Sequence, residues 1–558
     1  MYRELEYSSI KEVQNLSDQH MELIHGLHLK NMFISGANNL ENNKNLVNSL
    51  NVFPVPDGDT GTNMSLTMNS AVKEVNKAKD NNVFTIAELA ANGSLMGARG
   101  NSGVILSQIL RGFAKALKNE NEINCITLAN ALMEGANTAY KAVMRPTEGT
   151  ILTVIRESAE HGVKIAKQCT DLIYFLGEVV AQANKSLEKT PEMLPILKQA
   201  KVVDAGGKGL LYILNGMLYY ITTNKVIELT EEPEIILEES DKIIFDETEI
   251  KYGYCTEFFI KGNKMNPEVY KNNILELGDS IVVVGDENLI KVHIHTNNPG
   301  LAIEKGLEFG YLSKIKIDNM REQHNELLVN EEEKNSNVEP KNYGVVAVAM
   351  GSGISSIFKD LGADEVIEGG QTMNPSTEDI LKSVERINAD NIIVLPNNGN
   401  IILAADQAKS LSKKNVIVAK TKTIPQGITA LMVVDQDKTP QDIEKRIEHA
   451  IGDVKTGLIT YAVRKSTFDG VDIEEGNILG LIEGKINAVG NDIFEVIEQV
   501  MDSMVDDDSS LITVYYGDEI DKEEANLLVN DLQDRYSYCD IELHYGGQPL
   551  YYYILSVE

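Results

Sequence analysis

Between about residues 20 and 225, apolar residues recur three and four positions apart, in runs at 66–79, 104–118, 128–144, 172–187 and 210–221. Polar residues cover the opposite side of each run, the pattern of amphipathic helix. Glycine-rich loops separate the runs, not alternating strands. The block therefore predicts an all-helical bundle whose loops at one end carry the chemistry. Residues 1–19 read as an appended helix or a loose extension.

The period changes after residue 225. An acidic stretch at 231–234 leads into strand-like pieces at 252–261, 280–284 and 289–295, the last two flanking the turn signal Gly285-Asp286-Glu287-Asn288. This predicts a small α+β middle domain over 226–329. The charged, proline-stopped segment 330–341 reads as a linker. From 342 to 558 short apolar runs such as Val345-Val346-Ala347-Val348-Ala349 and Ile392-Ile393-Val394-Leu395 alternate with amphipathic helices, as in a buried parallel sheet. A strand-turn-helix-strand pattern ending in Gly-Gly-Gln occurs at 345–371 and again at 511–548, which predicts two related α/β lobes. A chain of 558 residues is in any case too long for one core.

Charge narrows the function classes. With 51 basic and 84 acidic residues the formal net charge is −33, which disfavours phosphate backbones and anionic membrane surfaces as partners. The four cysteines form no CxxC pair, so a reducing cytoplasm fits better than a disulfide framework. The first residues lack a basic segment before an apolar run, and no run reaches the ~20 apolar residues that span a bilayer. A cytoplasmic protein is expected, without nucleic-acid binding or stable membrane insertion.

The strongest chemical signal is Asn51-Val-Phe-Pro-Val-Pro-Asp57-Gly-Asp59-Thr-Gly-Thr62-Asn63-Met64. Two carboxylates two residues apart, among glycines and hydroxyls, suit a hard cation such as Mg2+ that bridges protein oxygens to phosphates. A calcium EF-hand loop starting at Asp57 would need Gly at position 62 and Glu at 68, where Thr62 and Met68 stand. An aspartyl-nucleophile phosphatase would need a buried strand before the motif, but Pro54 and Pro56 interrupt that run and Gly61 takes the threonine place. A solvated acidic turn is the plain alternative. A second loop, Gly97-Ala98-Arg99-Gly100-Asn101-Ser102-Gly103, opens into a helix; its amides would cradle an anion and Arg99 would add charge. It is no Walker loop, since no Gly-Lys-Ser/Thr follows; alone such a helix start is usually a tight turn, and beside the acidic loop it reads as the phosphate half of a nucleotide site. The segments 145–150, ending in Thr150, and 203–209, with Asp204 and Gly206, also sit at helix starts and would close a pocket, or serve as ordinary interhelical loops. In the middle domain His293 and His295 share one face of a strand. With Cys255 they would hold Zn2+ with an open fourth position; a surface histidine pair beside a core cysteine is the plain alternative.

Together these segments, with Val203-Asp-Ala-Gly-Gly-Lys-Gly209 and Glu368-Gly-Gly-Gln-Thr-Met-Asn-Pro-Ser-Thr377, resemble the nucleotide-binding subunits of dihydroxyacetone kinases, and more closely their longer bacterial relatives, the fatty acid kinase catalytic subunits. The resemblance runs from about 20 to 558. It implies an eight-helix barrel holding ATP through two Mg2+ ions, and a separate fatty-acid-binding carrier protein whose bound fatty acid is phosphorylated to an acyl phosphate for lipid synthesis. By the same resemblance Asp57, Asp59 and Thr62 are metal ligands with Asn51 and Asn63 near them, while Gly100, Asn101, Ser102 and Gly103 touch phosphates. Asn51 stands where shorter relatives carry a further aspartate. Cys255, His293 and His295 fall where the family's middle domain carries a Cys and a His-x-His, which also admits a nucleophilic or phosphate-relay role. The C-terminal block is implied to dock the carrier, with scaffolding or homodimerisation as alternatives. A small-substrate dihydroxyacetone-type kinase and a nucleotide-sensing regulator without turnover are the competing functions.

Overall fold

The computed structural model describes residues 20–51, 58–143, 145–230, 253–262, 264–275, 277–285, 287, 289–319, 341–370, 373–468 and 471–558. Asp57, the 1–19 extension and all but the last residue of the 330–341 linker lie outside the described residues. Contacts divide the chain into two compact units, 1–231 together with 340–558, and 232–339.

In the first unit the helices are α1 (Gly26–Asn42), α2 (Lys44–Asn48), α3 (Thr60–Asn76), α4 (Val83–Met96), α5 (Gly100–Ala116), α6 (Cys125–Ala142), α7 (Ile151–Ile165), α8 (Leu172–Glu188), α9 (Thr190–Met193), α10 (Pro195–Ala200) and α11 (Ala205–Thr223). The long helices pack in chain order from α3 to α8, and α11 packs on both α8 and α1. Their apolar stripes meet in one core that includes Phe33, Met64, Ile86, Leu128, Val154, Phe175 and Leu214. Asn82, Asn124, Thr150, Asp171 and Asp204 accept backbone N–H groups at the starts of α4, α6, α7, α8 and α11. Each such cap contributes about 1 kcal/mol.

Helices α3, α5 and α11 begin four to six residues before the hydrophobic runs that announce them, at Thr60, Gly100 and Ala205. The glycine-rich segments expected as loops are largely first helical turns. Glycine and hydroxyl residues are poor helix formers and carry no apolar period, so tertiary packing, not propensity, winds these turns.

The second unit holds β1 (Tyr254–Lys261), α12 (Pro267–Ile274), β2 (Gly278–Gly285), β3 (Leu289–Thr296), α13 (Pro299–Leu307) and β4 (Tyr311–Asn319). Its antiparallel sheet runs β2-β3-β1-β4, around a core of Phe258, Ile260, Tyr270, Ile290, Val292 and Ile294.

The C-terminal part returns to the first unit with β5 (Lys341–Ala349), α14 (Ser352–Asp360), β6 (Glu365–Glu368), α15 (Thr377–Arg386), β7 (Ala389–Leu395), α16 (Ile402–Leu411) and β8 (Asn415–Val418). These strands form a parallel sheet in the order β6-β5-β7-β8. Strand β5 is buried on both faces: Val345, Ala347 and Ala349 join one core, Val346 and Val348 another. That second core also takes in Ala98 and Val104 from the start of α5, so the helical and α/β parts share a hydrophobic core. After α17 (Ile424–Met432) and α18 (Pro440–Asp453) come β9 (Lys455–Tyr461), β10 (Ser466–Phe468), β11 (Val471–Ile473), β12 (Ile478–Ile482), β13 (Lys485–Gly490), α19 (Ile493–Met504), β14 (Leu511–Tyr516), α20 (Lys522–Arg535), β15 (Asp540–Tyr545) and β16 (Tyr553–Val557). Six of these strands make a mixed sheet, β13-β12-β9-β16-β14-β15. Its one parallel pair, β14 and β15, spans the second copy of the strand-helix-strand pattern. No helix among the described residues is long and apolar enough to cross a membrane.

Candidate nucleotide and metal site

Helix α3 starts where it does because Asn48 holds it there. The Asn48 Oδ1 accepts the backbone N–H groups of Gly61 (2.7 Å) and Thr62 (3.1 Å), while its Nδ2 donates to Thr62 Oγ1 (3.0 Å). A Cβ on residue 61 would lie 2.2 Å from the Lys44 carbonyl oxygen, so α2 and α3 approach this closely only because residue 61 is glycine. Asp59 is the N-cap residue of α3 and is 6% exposed; Asn63, one turn on, is 3% exposed. The first turn of α5 lies against this turn. Gly100 has φ +57°, and a Cβ there would meet Asn63 Nδ2 at 2.5 Å.

A cavity of about 270 Å³ opens beside these turns, at the lower edge of small-molecule sites. Its lining includes Asn51 and Thr60, Ser102 from α5, Thr147 and Thr150 before α7, and Asp204 and Gly206 at α11. Four helix starts thus converge on one space, each bringing the positive end of its dipole there. The apolar side is made by Leu50, Ile105, Val143, Ile151, Leu152 and Leu197. Phosphates at the helix starts and a flat heterocycle against the apolar side are what such a lining accommodates. Burial pushes the Asp204 carboxyl up to about 6, against the lowering effect of backbone N–H groups from Gly207 and Ile151. Glu148, before Thr150, is tied to Thr153 Oγ1 (2.6 Å), Arg156 Nη2 (2.8 Å) and Tyr140 Oη (3.0 Å). These bonds hold its carboxyl below the usual range and brace the loop.

The other expected residues face the α/β part. The Asn374 side chain, fully buried, donates from Nδ2 to the Asp59 carboxylate and, at 3.5 Å, to Asn63 Oδ1. Arg99 donates to the Asn374 carbonyl oxygen (2.8 Å) and lies 3.5 Å from Asp379, and Asn101 Nδ2 donates to Asn400 Oδ1 (3.2 Å). Beside the same turn Arg464 donates to the Asn51 carbonyl oxygen. Desolvation lowers the pKa of that guanidinium. Asn48, Asn374 and Arg464 were given no role from the sequence. Asn374 does sit inside the 368–377 motif, which was the available signal.

The donors around Asp59 are hard oxygens: its carboxylate, the Asn63 amide and Asn374 Oδ1, a buried atom with no hydrogen-bond partner among the described residues. Such a set fits Mg2+ and would not suit a thiophilic ion. The expected zinc is different. In register Cys255 lies opposite His295 and Glu257 opposite His293, but the side chains of Cys255 and His293 lie outside the described residues. Among the described residues no cluster of three or more His, Cys, Asp or Glu is placed to hold a metal ion. The expected zinc ligands Cys255 and His293 fall on side chains outside that set.

Three family models cover most of the chain: the DAK2 domain over 54–219, the FakA-like middle domain of fatty acid kinase over 251–327, and the FakA-like C-terminal domain of fatty acid kinase over 344–558. Uncharacterized proteins of Staphylococcus aureus strains MRSA252 and USA300 are each 42% identical over 544 residues, spanning 96% of this chain and 99% of theirs. Solved structures resemble parts of it distantly. The dihydroxyacetone kinase of C. freundii in complex with AMP-PNP and Mg2+ is 12% identical, over 40% of this chain and 49% of that one, with a TM-score of 0.30. The Streptococcus pneumoniae Fatty Acid Kinase (Fak) B3 protein loaded with linoleic acid is 10% identical, over 39% of this chain and 99% of that one, with a TM-score of 0.27. By its relatives over nearly its whole length and by the models that match its three parts, the chain belongs to the FakA-like family of fatty acid kinase proteins.

Proposed function

We propose that the chain is an ATP-dependent kinase that phosphorylates the carboxylate of a fatty acid presented by a separate fatty-acid-binding protein, giving an acyl phosphate and ADP. The observation that carries this reading is the convergence of four helix starts on one cavity beside the buried Asp59. Asn51, Ser102, Thr150, Asp204 and Gly206 would hold the nucleotide, and Asp59, with Asp57, Thr62 and Asn63, would hold the metal. Bound Mg2+ would supply charge neutralisation and alignment of the phosphates. The acceptor carboxylate is ionised at neutral pH, so it attacks the γ-phosphorus without a general base while the bond to the β-bridging oxygen breaks. The closed succession of long helices from α1 to α11 is, in this reading, an eight-helix barrel.

The test is ATP consumption by purified protein with Mg2+ and a long-chain fatty acid, with and without a fatty-acid-binding partner. Turnover should require both, and Asp59→Ala should lower it by about 10³-fold or more. Turnover on dihydroxyacetone without the partner, or nucleotide binding without any turnover, would refute the fatty acid reading.

A further inference from the structure

This inference rests on reading Asp59 as a metal-binding carboxylate. After β6 the chain leaves the parallel sheet and lies along the helical part. Ser376 forms an antiparallel bridge with Arg99, and the Thr377 N–H donates to the Ala98 carbonyl oxygen (3.1 Å). The Arg99 bond to the Asn374 carbonyl oxygen (2.8 Å) fixes the same segment from its other end. These contacts, with Ala98 and Val104 inside the apolar core of the α/β part, join the two parts. None of them needs a polar side chain at 374.

Asn374 nevertheless drives an amide into the site. One end donates to the Asp59 carboxylate and reaches Asn63. The other end, Oδ1, is buried without a hydrogen-bond partner among the described residues. A buried acceptor left unmade costs about 1–3 kcal/mol, and a bound ion beside it is one way to meet that cost. An apolar residue of the same shape would dock without that penalty.

We propose that Asn374 is a positioning residue of the kinase site supplied by the α/β part. Its Nδ2 orients the Asp59 carboxylate toward the metal ion, and its Oδ1 adds a further hard oxygen beside that ion. The site is therefore composite, and the helical part alone holds an incomplete set. Arg464 at the Asn51 carbonyl oxygen is a second point at which the α/β part reaches its rim.

Mn2+ binding to the full chain, read by electron paramagnetic resonance with a non-hydrolysable ATP analogue present, tests this without relying on turnover. Asn374→Ala should weaken Mn2+ by about 10–100-fold, the usual effect of losing a group that orients a metal ligand. Asn374→Leu, which keeps the branch point and fills the space with a bulkier apolar group, should do the same and serves if the alanine variant fails to fold. Gln407→Ala is the docking control, because Gln407 bonds to the Leu95 carbonyl oxygen (2.7 Å) across the same interface but away from Asp59. It should leave Mn2+ affinity unchanged. Equal weakening in the Asn374 and Gln407 variants would reduce Asn374 to a docking contact and overturn the proposal. Unchanged affinity in both Asn374 variants, with binding abolished by Asp59→Asn, would overturn the proposal and leave the metal site standing. If Asp59→Asn also binds normally, both readings fall.

Discussion

The two sides of the cavity are built on different plans. On the α7 and α11 side, Thr150, Asp204 and Gly206 are placed by the helical part alone, through caps and the Glu148 brace. On the α3 and α5 side, Asp59, Asn63, Arg99 and Asn101 all bond to residues beyond 370. The first side has its polar groups set by one domain. The second is a surface that one domain begins and another finishes, so its geometry depends on how the two are docked. Tolerance to change should differ accordingly.

The largest contrast expected is between two glycines. Gly61→Ala sets a Cβ 2.2 Å from the Lys44 carbonyl oxygen, a backbone atom that yields only if α2 moves off α3. The cost is expected to be about 3 kcal/mol or more, with Asp59 displaced as a consequence. Gly206→Ala on the other side meets Asp204 Oδ2 and Ile151 Cβ at 3.3 Å, contacts that a small shift relieves. Its strain is offset by alanine's better helix propensity of about 1 kcal/mol, so it should be near neutral. Thermal denaturation of both variants decides the matter; equal losses would erase the distinction between the sides.

A smaller effect sharpens the pocket side. Asp204 titrates near 6 in the folded chain against 3.8 for the free group, because burial disfavours its charge. A carboxyl whose pKa is raised by folding binds more protons folded than unfolded between those values, so stability falls as pH rises from about 4 to about 6 and is then level. The span is on the order of 3 kcal/mol at about 1.4 kcal/mol per unit. Asp204→Asn keeps an acceptor for the Gly207 N–H and removes the proton, so its denaturation curves should lack that slope. An identical slope in both proteins would show that Asp204 is not desolvated in the pocket.

How much of this was legible in the sequence follows the same division. Signals confined to a short window were readable: the acidic turn around Asp59, the helix starts at Thr150 and Asp204, and the apolar runs of β5, β7 and β8. Each rests on local composition or period. The early starts of α3 and α5 were not readable, because the first turn of α3 is held by Asn48 and that of α5 packs at Gly100 against the Asn63 side chain. Asn374 sits 315 residues from Asp59, and no periodicity encodes a contact at that separation. The bond from Asn101 to Asn400 is equally remote in sequence, and nothing local announces it.

The smallest expected effect tests whether the composite side is held at its rim or at its centre. Asn101 and Asn400 meet at 3.2 Å where both side chains reach solvent. When Asn400→Ala removes one partner, the Asn101 amide can exchange that bond for water, so only the net value of an exposed hydrogen bond is lost, about 0.5 kcal/mol. Asn374 has no such exchange, since it is fully buried against Asp59. Asn400→Ala should therefore leave nucleotide affinity within about twofold, a change of less than ~0.5 kcal/mol. A loss of tenfold or more, measured by titration of an ATP analogue, would mean that docking is set at the periphery of the interface and that Asp59 feels it from there.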